Sequence, residues 1–325
     1  MGSLVLFIIL KRIEEISRCK FSFSCEVKKI AFFKMKKRLD FLLENNQKWN
    51  SYVTNNLNSL NLSFLFIPFL LIVLLVVFLF KEDALSIESY VNSQKEIFLY
   101  LNSKLATLPS LQFNLTQLGD VVVFLPFLTV FLVFTPKFWD SLLTSLIVSG
   151  IITNLLKRVF AVPRPAAMFD NDSFIILGDT LTGNNSLPSG HSIATFAILS
   201  TVLFAFMPKT RNLKLSWFFF IFATGFIIAF SRVGVGAHYP FDVISGSIIG
   251  YISAVLGVFI SKKYTFWNWI TNQKYYLITI ALFLICGVAL INKIISTNLM
   301  IFYLSLVSLL ATTFLIIYIY AKKKY

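Results

Sequence analysis

The sequence predicts an all-α protein, a polytopic membrane helical bundle. Hydrophobic residues make up 57% of the 325 positions and charged residues only 14%, against about 25% charged in an average soluble domain. The apolar residues also form long runs without charges. Since lipid offers no partners for backbone groups, such runs indicate helices. The composition excludes a disordered chain, and three cysteines are too few for a disulfide scaffold.

Eight apolar runs come close to the roughly 17–25 residues that cross a bilayer core. The predicted spans are 61–80, 119–135, 138–156, 189–207, 215–230, 242–260, 275–291 and 298–320. The second, third and fifth are at or near the short end of that range, so their boundaries are the least well defined. We divide the chain into a basic N-terminal segment 1–59, a six-helix core 60–262 and a part with two extra C-terminal spans and a basic tail, 263–325.

The positive charge of the chain predicts its orientation. The formal net charge is +14, from 29 Lys+Arg and 15 Asp+Glu. An even number of spans puts both termini on one side, and placing them in the cytoplasm puts 21 of the 29 basic residues inside. This explains the charge without a nucleic-acid partner. The Lys-, Asn-, Ile- and Phe-rich composition favours a bacterial source, hence the cytoplasmic membrane.

Three polar segments interrupt the apolar background at the outer ends of the third to sixth spans. They are 157–165 (KRVFAVPRP), 187–191 (LPSGH) and 231–242 (SRVGVGAHYPFD). The only two histidines, His191 and His238, lie in these segments. A single buried histidine is commonly structural, but two at one membrane face point to function.

The third segment contains a His–Asp pair at four-residue spacing. Pro240 is tolerated in a first helical turn, so the sixth span is predicted to start near Tyr239, with Asp242 in its first turn. A carboxylate there can orient the imidazole of His238 and leave the other ring nitrogen free to attack. Asp242 can also serve simply as a helix cap.

The remaining polar residues suit a tetrahedral anion. Lys157, Arg164 and Arg232 lie at membrane depth or at its edge with few acids to pair them, and an anionic ligand would satisfy all three. Ser189 and Gly190 precede an apolar helix, whose N-terminal N–H groups bind anions and whose glycine permits close approach. An ordinary helix capped by Ser189 is the alternative. Together these residues predict a phosphoryl-transfer site.

The three motifs, K-x6-R-P, P-S-G-H and S-R-x5-H-x3-D in this order, resemble the signature of the type 2 phosphatidic acid phosphatase family. That family belongs to a wider superfamily with bacterial acid phosphatases and vanadium haloperoxidases. Each motif alone is weak, but their joint match is specific. The matching positions are Lys157, Arg164, Pro165, Pro188, Ser189, Gly190, His191, Ser231, Arg232, His238 and Asp242.

The resemblance implies a role for each matching residue. His238 would be the nucleophile that forms a phosphohistidine, Asp242 would orient it, and His191 would be the general acid. The implied phosphate-binding residues are Lys157, Arg164, Ser189, Gly190 and Arg232. The resemblance implies neither a metal nor another cofactor.

The implied activity is that of an integral membrane lipid phosphatase, with the six-helix core as its phosphatase unit. The expected partners are the bilayer and a lipid phosphate or diphosphate at the outer face. Candidate substrates are undecaprenyl diphosphate, phosphatidic acid, phosphatidylglycerol phosphate and lipid A phosphates. We expect substrate choice to depend on residues 81–118 and 166–187.

Two other functions remain open from the sequence. The same site can pass the phosphoryl group to a lipid or glycan acceptor, which would make the protein a phosphotransferase. Intramembrane charges also occur in lipid or anion transporters. Transporters, however, commonly carry internal repeats and binding sites at the midplane, whereas these polar residues cluster at one face.

Overall fold

The computed structural model describes residues 46–324, and every regular element in that range is a helix. Of the predicted basic N-terminal segment 1–59, residues 1–45 lie outside the described residues. The first seven helices are α1 (Asn46–Asn58), α2 (Phe66–Lys81), α3 (Ile87–Asn92), α4 (Lys95–Leu105), α5 (Pro109–Gln117), α6 (Val121–Leu128) and α7 (Val130–Phe134).

The second half of the chain contains the longest helices. They and their short connecting helices are α8 (Pro136–Phe160), α9 (Pro165–Met168), α10 (Gly190–Ala205), α11 (Arg211–Gly234), α12 (Pro240–Lys263), α13 (Asn268–Thr271), α14 (Tyr276–Thr297) and α15 (Met300–Lys324). The predicted all-α class is confirmed, and each of the eight predicted apolar runs is largely helical.

Six of the described helices are long and apolar enough to cross a membrane: α2 with the turn before it, α8, α11, α12, α14 and α15. The predicted second span, 119–135, is not one long helix but contains α6 and α7. Helix α6 also forms a pair with α5, bent by 74°, which makes a seventh span if counted as one. Asp120 starts α6 afresh by accepting a hydrogen bond from the Val122 N–H at 2.9 Å. Helix α10, the predicted fourth span, has only 16 residues.

Helix α10 is short but lies at the centre of the bundle. It packs against α8, α11 and α12, and 13 of its side chains are buried. Because protein surrounds it, α10 need not match the bilayer thickness. Gly246 on α12 allows the close approach, since a Cβ there would lie 2.8 Å from the Ser189 carbonyl oxygen. Small residues at such contacts are typical of packed membrane helices.

Helix α1 closes one end of the bundle. The Tyr52 hydroxyl donates to the Met207 carbonyl at 2.6 Å, and the Asn56 side chain donates to the Ala205 carbonyl at 3.0 Å. These bonds satisfy carbonyl groups that the C-terminal end of α10 leaves free. The polar motifs lie at the opposite end of the bundle.

Helices α14 and α15 form a hairpin that packs beside α6. Ser305 donates to the Val123 carbonyl at 2.9 Å, and Ser308 donates to the Pro126 carbonyl at 3.0 Å. Pro126 sits inside α6 and has no N–H for the Val122 carbonyl, which instead accepts the Cys286 thiol at 3.8 Å. These hydrogen bonds join the C-terminal spans to the core.

Candidate active site

Four helix ends meet at the end of the bundle opposite α1. They are the C-terminal ends of α8 and α11 and the N-terminal ends of α10 and α12. Since these neighbouring helices alternate in direction, the three polar motifs reach one depth. All eight predicted site residues are found at this end, the three cations among them.

The His–Asp pair lies where α12 begins, with Pro240 as its first residue. His238 Nδ1 is 3.4 Å from Asp242 Oδ2, and the two side chains are 1% and 0% exposed. The same Asp242 oxygen accepts the Tyr239 backbone N–H at 3.0 Å. The carboxylate therefore caps the helix and faces the imidazole at once, so the two interpretations of Asp242 are compatible.

Two hydroxyl groups that the sequence analysis did not identify also bind Asp242. The Ser186 hydroxyl donates to Oδ2 at 2.6 Å and lies 3.4 Å from His238 Nδ1. The Tyr90 hydroxyl donates to Oδ1 at 2.8 Å. Ser186 directly precedes the second motif, and that position is its one sequence signal. Tyr90 is 152 residues from Asp242, and no sequence signal marks it.

The surroundings of the pair set its protonation. Burial lowers the pKa of His238 well below its usual value, and the positive charges of Arg164, Arg232 and Lys157 lower that pKa further. The imidazole is therefore neutral at neutral pH and keeps a lone pair. Burial, together with the charge of Asp242, raises the pKa of the Tyr90 hydroxyl, which stays a donor.

The two arginines are held by neutral partners. Arg164 is buried, with Nε donating to Asn185 Oδ1 at 2.7 Å and one terminal nitrogen to the Ala237 carbonyl at 3.3 Å. A terminal nitrogen of Arg232 donates to Thr116 Oγ1 at 2.6 Å. Arg232 Nε is buried without a hydrogen-bond partner within residues 46–324. A buried charged donor without an acceptor points to an anionic ligand.

Lys157 lies beside the first turn of α10. A Cβ on Gly190 would be 3.6 Å from Lys157 Nζ and 3.4 Å from Thr153 Cγ2. Ser189 caps this helix, because its hydroxyl accepts the Ser192 N–H at 3.4 Å. The ammonium group and the N–H groups of the helix start are therefore neighbours, as anion binding requires.

His191 faces a polar cavity of about 320 Å³ at this end of the bundle. Arg232 and Ala237 line the cavity with it, and Thr116 and Lys293 stand on other walls. The turn between α5 and α6 packs on the imidazole, since a Cβ on Gly119 would lie 2.6 Å from His191 Cβ. The second histidine is thus half-buried yet open to a ligand.

The region 81–118 contains helices α3, α4 and α5 and covers the site. Besides Tyr90 and Thr116, it contributes Gln94, which accepts the Phe241 N–H at 2.8 Å, and Asn102, which donates to the Val233 carbonyl at 3.0 Å. These polar residues lie on short helices of mixed composition, and no motif distinguishes them from surface residues.

The geometry describes a helical membrane protein in which two histidines, a carboxylate and three cations lie together at one end of the bundle. Residues 138–266 match the model of the PAP2 superfamily. The matched residues contain all three motifs, so in this part the chain is similar to the PAP2 superfamily. The predicted resemblance is confirmed. Helices α1 to α7 and α13 to α15 lie outside the matched residues.

Several characterised proteins are similar to this chain. An undecaprenyl-diphosphatase of Sulfolobus acidocaldarius is 28% identical over 174 residues, which cover 53% of this chain and 80% of the relative. Undecaprenyl-diphosphatase BcrC of Bacillus subtilis is 32% identical, with 34% and 51% covered. A lipid A 1-phosphatase of Rhizobium etli is 34% identical, with 34% and 44% covered. The chain thus spans about half the length of these two bacterial relatives.

A solved structure is also similar, the crystal structure of Aquifex aeolicus LpxE. The match has a TM-score of 0.42 and 25% sequence identity. It covers 53% of this chain and 95% of that chain.

Proposed function

We propose that this protein hydrolyses a lipid phosphate or diphosphate at the outer face of the membrane through a phosphohistidine. One observation carries the proposal: a buried, neutral His238 held by Asp242 lies within the electrostatic reach of Lys157, Arg164 and Arg232. Preorganised cations stabilise the charge of a transferring phosphoryl group, and no such cluster is needed for folding alone.

In the first proposed step, the Nε2 lone pair of His238 forms a bond to phosphorus. The bond from phosphorus to the leaving oxygen breaks, its electrons stay on that oxygen, and His191 supplies the proton. Asp242 holds Nδ1 and stabilises the positive charge that develops on the ring. Lys157, Arg164 and Arg232, with the N–H groups and hydroxyl at Ser189 and Gly190, bind the phosphoryl oxygens.

In the second step, water replaces the imidazole. His191, now neutral, takes a proton from the water as its oxygen bonds to phosphorus. The nitrogen–phosphorus bond breaks and returns its electrons to Nε2 of His238. Inorganic phosphate leaves, and both histidines are restored. A phosphotransferase would differ only in the acceptor of this step.

Apolar spaces beside the phosphate cluster suit lipid chains. The polar cavity that contains His191 also has an apolar part, lined by Phe113, Leu181 and Phe302. A second cavity of about 440 Å³ lies between α2, α8 and α12 and reaches Tyr90 and Pro188. Because both adjoin the site, a headgroup can bind the cations while its hydrocarbon stays out of water.

The substrate we favour is a polyprenyl diphosphate or a lipid A phosphate. The relatives named as undecaprenyl-diphosphatases and lipid A 1-phosphatase support this choice. We also propose cytoplasmic termini and an outward-facing site, since most basic residues of the sequence fall in its terminal segments and in the loops that this orientation places inside.

The decisive experiment measures phosphate release by the purified full-length protein in detergent, with EDTA present, from a panel of lipid phosphates. We expect the wild type to turn over and His238→Ala to be at least 1,000-fold slower. Removing one of several catalytic residues that act as a unit lowers kcat by roughly 10³-fold or more. Circular dichroism and thermal unfolding serve as folding controls for the variant.

Turnover by His238→Ala at the wild-type rate would contradict the nucleophile assignment. Loss of wild-type activity in EDTA with recovery in a divalent ion would replace the mechanism by a metal-dependent one. Consumption of lipid without free phosphate would identify a phosphotransferase.

A further inference from the structure

The C-terminal hairpin brings a cation to the cavity that contains His191. Lys293, near the end of α14, lines this cavity together with Ser296 and Thr297, and His191 and Arg232 line it as well. The Lys293 side chain is 34% exposed, so its ammonium group is accessible. Helix α14 lies outside the residues that match the superfamily model, so this contact is a property of this chain's own extension.

The proposed mechanism assigns the leaving group to this cavity. His191 protonates the leaving oxygen, so the leaving group occupies the cavity that His191 faces. In a lipid monophosphate that group is a neutral alcohol. In a diphosphate it is a second phosphate, which carries negative charge. A cavity of about 320 Å³, roughly ten times the ~30 Å³ share of a water molecule in the liquid, leaves room for it.

We propose that Lys293 forms a second phosphate subsite, which binds the leaving phosphate of a lipid diphosphate. The proposal rests on the proposed function, because it places the leaving group by the role of His191. A lysine ammonium binds phosphate as a point charge, and a hydrogen bond to a charged group contributes more than a neutral one. The Ser296 and Thr297 hydroxyls lie on the same wall. A lipid monophosphate leaves this subsite unused.

Lys293 also has a partner within the protein. Its Nζ lies 2.9 Å from Asp120 Oδ2 and 5.6 Å from the ring centre of Phe302. A purely structural lysine would tie α14 to the start of α6 through this ion pair and do nothing else. One further acid, the exposed Asp179, also lines the cavity. The two carboxylates compete with a phosphate for the ammonium group, so the test has to separate the two roles of Lys293.

The test compares farnesyl diphosphate with farnesyl phosphate as substrates of the full-length protein in detergent. The two molecules have the same hydrocarbon chain and differ only in the number of phosphates. We expect Lys293→Met to lower kcat/KM for the diphosphate by about 10- to 100-fold, the usual size of a lost charged hydrogen bond. The same variant should change kcat/KM for the monophosphate by less than about twofold.

Two variants serve as controls. Lys104→Met removes a cation of α4 that lies over the Tyr100 ring and does not line the cavity. It should leave kcat/KM unchanged for both substrates. Asp120→Asn keeps an oxygen for the cap of α6 but breaks the ion pair, so it should keep or increase the preference for the diphosphate.

Three results would overturn the subsite. Lys293→Met could lower kcat/KM equally for both substrates, or it could change kcat/KM for neither. Asp120→Asn could also reproduce the loss seen in Lys293→Met, which would show that only the ion pair matters. If wild type and His238→Ala both released no phosphate from either substrate, the proposed function itself would fail.

Discussion

Gly190 is a position where a substitution should affect phosphate binding without affecting folding. A methyl group added to its Cα would lie 3.6 Å from Lys157 Nζ and 3.4 Å from Thr153 Cγ2, which are ordinary van der Waals distances. Nothing in the protein has to move to admit that methyl group. A phosphoryl oxygen approaching the first N–H groups of α10 would have to compete for the same space.

We therefore predict that Gly190→Ala folds normally but binds phosphate poorly. The alanine is also the better helix former, by roughly 1 kcal/mol in a helix interior, so thermal unfolding in detergent should occur at or above the wild-type temperature. The value of kcat/KM for a lipid phosphate should fall about 10- to 100-fold, as expected when a reacting group is displaced by about 1 Å. Wild-type kinetics in this variant would exclude phosphate from the start of α10.

At the scale of elements, a row of glycines on α12 sets the distance between helices. Gly246 and Gly250 lie against the backbone of α10, and Gly257 lies against Ser145 of α8. This packing carries the N-terminal ends of α10 and α12 to the same depth, where the Ser189 N–H donates to the Asp242 carbonyl at 3.0 Å. The precision of the site thus depends on residues far along the helix from it.

Gly257→Ala should destabilise the bundle, because the added methyl would overlap the backbone of Ser145. Overpacking of this kind costs about 1–3 kcal/mol, which would appear as a lower unfolding temperature in detergent. Gly150→Ala on α8 is the matched control, since no atom lies within 4 Å of its added methyl. Equal stability of the two variants would show that α12 and α8 are not packed this closely.

The whole molecule has two chemically different ends. One end carries the motifs and the covering helices α3 to α5. The other carries α1 and Lys262, which donates to the Leu60 carbonyl at 2.7 Å. If the termini lie in the cytoplasm, as we propose from the positive-inside rule, the site faces outward.

Cysteine labelling in intact bacterial cells tests this orientation. In a background lacking Cys19, Cys25 and Cys286, a membrane-impermeant maleimide should label Lys104→Cys on α4. It should not label Lys263→Cys at the end of α12 until the cells are opened. The opposite pattern would place the site at the cytoplasmic face.

The membrane class, the approximate positions of most helices and the residues of the three motifs follow from sequence patterns alone. These properties are local: an apolar run, a proline in a first turn or a His–Asp spacing acts over a few residues. The motifs brought together His191, His238, Asp242 and the cations in one hypothesis before their geometry was known.

The distant residues that complete the site can be identified only from the folded structure. Tyr90 and Ser186 bind Asp242 from 152 and 56 residues away, and Thr116 binds Arg232 from 116 residues away. The break between α5 and α6 and the short central α10 were also decided at this level. Hydropathy measures how well a segment suits lipid, but whether protein or lipid surrounds a helix, and which polar group meets another, depends on packing between segments remote in sequence.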